Sequence, residues 1–238
     1  MLCNPTSCRR KIQGLKSREW LLMATALQVR GLSVSFDGET FLEDINFAVE
    51  ENEIIALVGG NGSGKTTLLR AICGLQDISK GSILLNDKEI SGQSVYKRGI
   101  GLVFQQTLLM PQLDVAGNLA IGIPRSITKK EIPPIIEKAL EDIGLSGFQR
   151  RKVSTLSGGE AQRISLMRAL LAEPKFLLMD EPLVNQDIHN KKKLGEEIRD
   201  LLKQRGVAAL IVTHQPSVAE SICDRVLYID SLKGGEEG

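Results

Sequence analysis

The sequence predicts an α/β fold, in which a mixed or parallel sheet flanked by helices is joined to an antiparallel β layer. Two continuous apolar runs, at 54–58 and 176–179, have the length and composition of strands buried on both faces. Helical patterns follow these runs at 66–75 and 189–204. Between residues 27 and 49, two alternating apolar segments flank an Asp-Gly turn, which predicts the antiparallel layer.

Three further strands and a helix complete this core, and one helical segment interrupts it. Short strands are expected at 81–85, 100–104 and 207–212, and a helix at 160–171. Between about 107 and 155 the pattern becomes helical instead. The signals there are capping-box spacing, a proline pair suited to a first turn, apolar residues at helical spacing and a terminal glycine. They are carried by Thr128 and Glu131, Pro133 and Pro134, Ile135, Ile136, Ala139, Leu140 and Ile143, and Gly144. We expect a helical lobe at 107–155 inserted into a core formed by 27–106 and 156–232.

Composition excludes several classes of protein. The 238 residues carry 30 Lys and Arg against 29 Asp and Glu, a net charge of +1, which argues against a general nucleic-acid-binding surface. No stretch approaches the ~18 apolar residues of a membrane-spanning helix. The four cysteines fit neither a zinc site nor a disulfide scaffold, so reduced thiols in a cytosolic protein are expected.

The first 22 residues are basic and lack apolar periodicity. We expect a disordered extension before a domain at 23–238, with Met23 as an alternative start. The other interpretation is a basic arm that contacts anionic lipid or a partner.

A glycine-rich segment after the first apolar run satisfies the pattern G-x-x-x-x-G-K-[ST]. Phosphate oxygens need backbone N–H donors pointing into one cavity, and only a loop with few side chains wraps them that closely. The helix N-terminus that follows adds partial positive charge. Lys65 is expected to contact the β- and γ-phosphates of ATP, and Thr66 to bind Mg²⁺. The predicted phosphate-binding residues are Gly59, Gly60, Asn61, Gly62, Ser63, Gly64, Lys65, Thr66 and Thr67.

Two adjacent carboxylates end the second apolar run. Asp180 and Glu181 are costly to hold beside a core unless positive charge meets them, and Mg²⁺ with ATP would supply it. Asp180 is therefore predicted to hold Mg²⁺, and Glu181 to polarise the attacking water. Taken alone, the pair could equally be two exposed acids that begin a loop.

The run Leu-Ser-Gly-Gly-Glu at 156–160 resembles the signature motif of ATP-binding-cassette (ABC) ATPases, and the resemblance extends from about 27 to 230. It implies an aromatic stacking on adenine at Phe36, and a Q-loop glutamine at Gln105 that contacts Mg²⁺ and water. It also implies a D-loop ending at Asp187 and a switch histidine at His214 that contacts the γ-phosphate. The sequence has every catalytic residue of the family pattern, so active ATP hydrolysis is expected. These residues are Lys65, Thr66, Gln105, Asp180, Glu181 and His214.

The signature residues also suggest a second phosphate-binding surface. The Ser157 hydroxyl and the backbone N–H groups of Gly158, Gly159 and Glu160 stand at a predicted helix start. The family resolves this duplication with a head-to-tail dimer, in which the signature of one subunit covers the ATP held by the other.

Three positions depart from the family pattern. Gly60 stands where proline is frequent, which should loosen the loop. The D-loop reads Val-Asn-Gln-Asp at 184–187, which puts communication between the two sites in doubt. Gln215 follows the switch histidine, where aspartate is frequent.

The resemblance also implies a setting for the chain. It indicates the ATPase subunit of a transporter, placed on the cytoplasmic face of the bacterial inner membrane through a permease that contacts residues 105–115. A short chain with one cassette resembles bacterial importer subunits for small solutes, which work with a solute-binding protein. Two alternatives remain open: an exporter or lipoprotein-release ATPase, and a non-transport cassette acting as a mechanical transmitter in cell division.

Overall fold

The computed structural model describes residues 24–183 and 188–232. The basic segment 1–22 and the D-loop segment 184–187 lie outside the described residues. The strands are β1 Thr25–Phe36, β2 Glu39–Glu50, β3 Ile54–Val58, β4 Lys80–Leu85, β5 Lys88–Glu89, β6 Ile100–Val103, β7 Phe176–Asp180, β8 Ala209–Thr213 and β9 Arg225–Tyr228. The helices are α1 Lys65–Cys73, α2 Val115–Ala120, α3 Ile132–Asp142, α4 Gly158–Leu171, α5 Ile188–Arg205, α6 Pro216–Ile222 and α7 Ile229–Leu232.

The strands form the two predicted sheets. Five of them pair in parallel in the order β6-β7-β8-β3-β9, and four form a sheet in the order β2-β1-β4-β5, with every pair antiparallel. The α/β class and the antiparallel layer are therefore confirmed. The short strand β9 was not predicted, because its four residues carry no periodicity long enough to read.

Both faces of the parallel sheet are buried, as the apolar runs predicted. Along β7, Leu177 and Met179 join the apolar core shared with α3, α4 and α5. Phe176 and Leu178 point the other way, into the core formed with α1 and the antiparallel sheet. Because all five strands run in parallel, their carboxyl ends meet at one edge, and this edge carries the loops of the candidate site.

The segment 107–155 contains two α-helices. The first was missed, and of the two start signals predicted for the second, the prolines are confirmed and the capping box is wrong. The helix α2 was not foreseen. The helix α3 starts at Ile132, and the capping box expected at Thr128 and Glu131 does not begin it. The Glu131 carboxylate accepts from both the N–H and the hydroxyl of Thr128, so that hydroxyl does not cap. The prolines in the first turn, which need no hydrogen-bond acceptor, set the start instead.

The predicted C-cap is confirmed at Gly144. This residue adopts a left-handed conformation with φ of 67°. Its N–H donates to the Glu141 carbonyl over 3.0 Å, and the N–H of Leu145 donates to the Leu140 carbonyl over 2.8 Å. These two bonds form a Schellman motif that ends α3. None of the helices within the described ranges is long and apolar enough to cross a membrane.

Candidate nucleotide-binding site

The predicted site residues from four parts of the chain lie at the carboxyl edge of the parallel sheet. The glycine-rich loop follows β3, the residue pair Asp180 and Glu181 stands at the end of β7, His214 follows β8, and Gln105 lies just beyond β6. These strands are neighbours in the order β6-β7-β8-β3, so the topology gathers residues that are far apart in sequence.

The phosphate loop needs glycine at three of its positions. Gly62 and Gly64 have φ of 77° and 100°, a region that other residues rarely adopt. A Cβ on Gly64 would lie 2.5 Å from Leu42 Cδ2, and one on Gly59 would lie 2.6 Å from Ile229 Cγ2. At Gly60, in contrast, an added Cβ would meet nothing within 4 Å. The expected loosening at Gly60 stays a prediction.

Lys65 is folded over this loop and is 7% exposed. Its Nζ donates to the Gly59 carbonyl over 2.9 Å and to the Gly60 carbonyl over 2.7 Å. No side chain caps the start of α1, which leaves its first N–H groups for an anion. The ammonium therefore already lies where the loop would wrap a phosphate.

A cavity of about 130 Å³ opens beside the loop. It is lined by Phe41, Gly62, Gly64, Lys65, Thr66 and Thr67. Phe36, the predicted adenine-stacking residue, packs edge to face on Phe41 with ring centroids 5.8 Å apart. Both rings remain half-exposed. Sequence reasoning missed Phe41, whose only signal is a second aromatic at an outward position of the hairpin.

Two of the three predicted Mg²⁺ ligands, Thr66 and Asp180, lie together. The Thr66 side chain is close enough to Asp180 to favour the ionised form of its carboxyl group. Burial, followed by the charge of Glu181, raises the pKa of Asp180 above its usual value, against the opposing effects of Arg70, Thr66 and Lys65. A partly buried carboxylate beside a hydroxyl fits a hard cation such as Mg²⁺, which takes few protein oxygens and completes its shell with water and phosphate.

Glu181 and His214 form a bonded pair at this edge. Glu181 has φ of 47°, and its N–H donates to the Val212 carbonyl over 2.9 Å. Its Oε1 lies 2.7 Å from His214 Nδ1 and accepts from the His214 backbone N–H over 3.0 Å. Its Oε2 accepts from the Thr213 hydroxyl over 3.2 Å. Thr213 was not predicted, because a threonine closing an apolar strand is ordinary.

Gln105 begins an exposed segment that is anchored to α4. The Thr107 carbonyl accepts from Ser165 Oγ over 3.0 Å, and the Leu108 carbonyl accepts from Arg168 Nη1 over 3.1 Å. Leu108 and Met110 are nearly half-exposed, and Leu109 packs against the core. The apolar segment thus offers both an outer surface and an internal contact.

The signature residues begin the helix α4. Ser157 Oγ accepts from the Glu160 N–H over 3.3 Å, and Glu160 Oε2 accepts from the Ser157 N–H over 2.7 Å. This reciprocal capping box leaves the Ser157 hydroxyl proton free to point outward, and it leaves the N–H groups of Gly158 and Gly159 at the helix start. None of the signature residues lines the cavity at the phosphate loop.

The fold and the phosphate loop define a P-loop protein with a site suited to a nucleoside triphosphate. The family model described as ABC transporter matches residues 42–184, well over half of the chain. The chain therefore belongs to the ABC transporter family.

Its relatives agree with this assignment. It is 41% identical over 213 residues to the protein named Fe(3+) ions import ATP-binding protein FbpC of Streptomyces coelicolor, which covers 89% of this chain and 61% of that protein. It is 35% identical over 205 residues to the spermidine/putrescine import ATP-binding protein PotA of Clostridium novyi, over 86% of this chain and 59% of that protein. The chain thus spans about three fifths of these relatives.

The fold has a solved counterpart. The structure of cbiO1 from Clostridium perfringens, described as part of the ABC transporter complex cbiONQ, superposes with a TM-score of 0.80 at 28% identity. The match covers 86% of this chain and 84% of that one.

Proposed function

We propose that the protein binds ATP with Mg²⁺ and hydrolyses it. The observation that carries this proposal is the joint position of three groups at one sheet edge. They are the phosphate loop with Lys65, the Thr66–Asp180 pair, and Glu181 bonded to His214. The relatives named as ATP-binding proteins support the choice of nucleotide.

Lys65 would exchange its two carbonyl acceptors in the loop for oxygens of the β- and γ-phosphates. Because the ammonium is already desolvated there, its attraction for phosphate is stronger than at an exposed site. The N–H groups at the start of α1 add donors that do not move during the reaction. Bound Mg²⁺ would neutralise phosphate charge next to Thr66 and Asp180, with Gln105 as a further ligand.

Glu181 would orient and polarise the water that attacks the γ-phosphorus. Three donors already hold its carboxylate, and Oε2 keeps a free lone pair for a water proton. Lys65 would offset the charge that develops on the transferred phosphoryl group, and His214 would hold Glu181 through its Nδ1.

The first test is Glu181→Gln, which keeps the shape of the side chain and removes the base. We expect ATP turnover to fall at least about 100-fold while ATP binding changes little, because the lost group acts on water and not on the nucleotide. Phosphate release and nucleotide binding measure the two effects. The matched control is Glu137→Gln on the exposed face of α3, which should behave like the wild type. Wild-type turnover in Glu181→Gln would overturn the assigned role.

We further propose that the site is completed by a second copy of the chain. The signature residues of one subunit would cover the γ-phosphate bound by Lys65 of the other. These residues are Ser157, Gly158, Gly159 and Glu160. Ser157 and Gly158 are exposed at the start of α4 and do not line the cavity at the phosphate loop, which supports this arrangement. Phe36 would stack on the adenine, with Phe41 beside it. The Glu181→Gln variant should then accumulate as an ATP-bound dimer.

The proposed physiological role is to drive small-solute import as the ATPase subunit of a membrane transporter. The chain would act on the cytoplasmic face of the inner membrane, with a permease on residues 105–115 and a solute-binding protein in the same system. The exposed Leu108 and Met110 support that contact. Because the two relatives are named for chemically different cargoes, we expect the permease and the binding protein to select the solute. Stimulation of ATPase activity by a co-purified permease and loaded binding protein tests this role.

A further inference from the structure

Gln215, the residue that departs from the family pattern after His214, joins the catalytic pair to α5. Its Oε1 accepts from Lys191 Nζ over 3.0 Å. Its Nε2 lies 3.3 Å from His214 Nε2, and His214 Nδ1 lies 2.7 Å from Glu181 Oε1. Four side chains thus form one hydrogen-bonded chain from a helix to the proposed base.

The donors and acceptors of these four side chains allow only one arrangement of protons. An ammonium has no acceptor, so Lys191 must face the amide oxygen of Gln215. The amide nitrogen then faces the ring of His214, and because an NH₂ group only donates, His214 Nε2 must accept. An imidazole that accepts at Nε2 carries its proton at Nδ1, which points at the Glu181 carboxylate.

A second route from Gln215 reaches the other oxygen of the same carboxylate. The backbone N–H of Gln215 donates to Thr213 Oγ1 over 3.1 Å, and the Thr213 hydroxyl donates to Glu181 Oε2 over 3.2 Å. Thr213 is buried, so water does not compete for this bond. Gln215 therefore holds both carboxylate oxygens of Glu181. It reaches Oε1 through His214 and Oε2 through Thr213.

We propose that Gln215, fixed by Lys191, is a positioning residue that holds His214 in the neutral Nδ1–H tautomer and aims that proton at Glu181. The tautomer is a property of the ATP-free chain and does not depend on the proposed ATPase activity, whereas its effect on turnover rests on that function. An imidazole in water favours the other tautomer, so the arrangement has a distinct signature. Which ring nitrogen is protonated is set by what the other one bonds to.

The direct test is nitrogen-15 NMR of the histidine side chains in the ATP-free protein. The sequence has two histidines, and a His189→Gln variant leaves the His214 ring as the single signal. We expect Nδ1 at the shift of a protonated nitrogen and Nε2 at that of an unprotonated, hydrogen-bonded one. Observation of the Nε2–H tautomer as the main form would overturn the proposal.

Two variants test the source of the tautomer. Gln215→Leu removes the donor to Nε2, and Lys191→Met frees the amide to turn its oxygen toward the ring. Each should shift the Nε2 resonance and raise the Nε2–H population. The matched control, Lys192→Met, removes the neighbouring exposed ammonium of α5 and should leave both nitrogens unchanged. Ring resonances that stay unchanged in both test variants would contradict the assigned link.

Turnover tests the consequence for catalysis. We expect Gln215→Leu to lower kcat about tenfold with the KM for ATP within about twofold, since a misaimed ring affects chemistry more than binding. In the Gln215→Leu background, Lys191→Met should add no further loss, because Lys191 acts through the amide. If Lys191→Met lowers kcat as much in the Gln215→Leu background as it does alone, the link from Lys191 through Gln215 is overturned. A wild type without ATPase activity would contradict the proposed function, while the NMR result would still decide the tautomer.

Discussion

At the residue scale, the phosphate loop requires glycine at some positions but not at Gly60. Gly64→Ala would place a methyl group 2.5 Å from Leu42 Cδ2 at a φ of 100°. Such strain costs about 1–3 kcal/mol, so we expect ATP affinity to fall about tenfold or more. Binding of a fluorescent ATP analogue measures the loss.

The control for this prediction lies in the same loop. Gly60→Ala adds the same methyl group where nothing lies within 4 Å. Its affinity should stay within about twofold of the wild type, because no contact or left-handed backbone opposes it. Equal losses in the two variants would show that the loop is sensitive to any added bulk, and would contradict the different roles assigned to Gly60 and Gly64.

Sequence reasoning located the charged residues of the site but not the contacts that hold them. Lys65, Asp180, Glu181 and His214 follow apolar runs that predict strands, so their shared edge could be anticipated. The link through Gln215 could not, because it depends on which way an amide faces, and that is set by a lysine 24 positions earlier on another element.

At the element scale, Arg98 links the C-terminal end of α1 to the segment before β6 through hydrogen bonds. This buried guanidinium donates to the carbonyls of Ala71 and Ile72 at the end of α1. It also donates to the carbonyls of Ser91 and Gln93. Its positive charge suits a helix C-terminus, where unpaired carbonyls gather. One side chain thereby ties α1 to the segment that leads to Gln105.

Removal of this side chain should destabilise the fold measurably. We expect Arg98→Leu to lower the free energy of unfolding by about 2–4 kcal/mol, because four carbonyl oxygens lose a charged donor in a buried place. Urea unfolding followed by circular dichroism measures the change. Lys97→Met, next to it and exposed, should stay within about 0.5 kcal/mol of the wild type. A loss below 1 kcal/mol at Arg98 would mean that water or neighbouring donors replace it.

The elements that sequence patterns predicted well are those with long or fully apolar stretches. The strands β3 and β7 and the helix α4 have several residues of clear pattern each. The helices α2 and α6 have six and seven residues, too few for two full turns of periodicity. Tertiary contacts decide such elements: α2 is fixed by Asn118, whose buried side chain bonds to the Met110 and Asp114 carbonyls.

At the scale of the whole molecule, α4 joins the two halves of the proposed mechanism. Its first residues form the signature motif, and Ser165 and Arg168 further along hold the carbonyls of the segment after Gln105. A displacement of that segment by a partner would therefore act directly on the helix that is proposed to cover ATP in the second subunit. If a permease binds this segment as proposed, the hydrogen bonds of Ser165 and Arg168 would pass its movement to α4.

We propose that each ATP site is built from two chains, and a mixture of two inactive variants is the sharpest test of this arrangement. Lys65→Ala disables the phosphate loop, and Gly158→Asp repels phosphate at the signature while its charge suits the helix start. Neither should hydrolyse ATP alone. Mixed in equal amounts, half of the dimers are heterodimers with one intact site, which predicts phosphate release at about a quarter of the wild-type rate. A mixture no more active than its separate components would contradict the two-chain site.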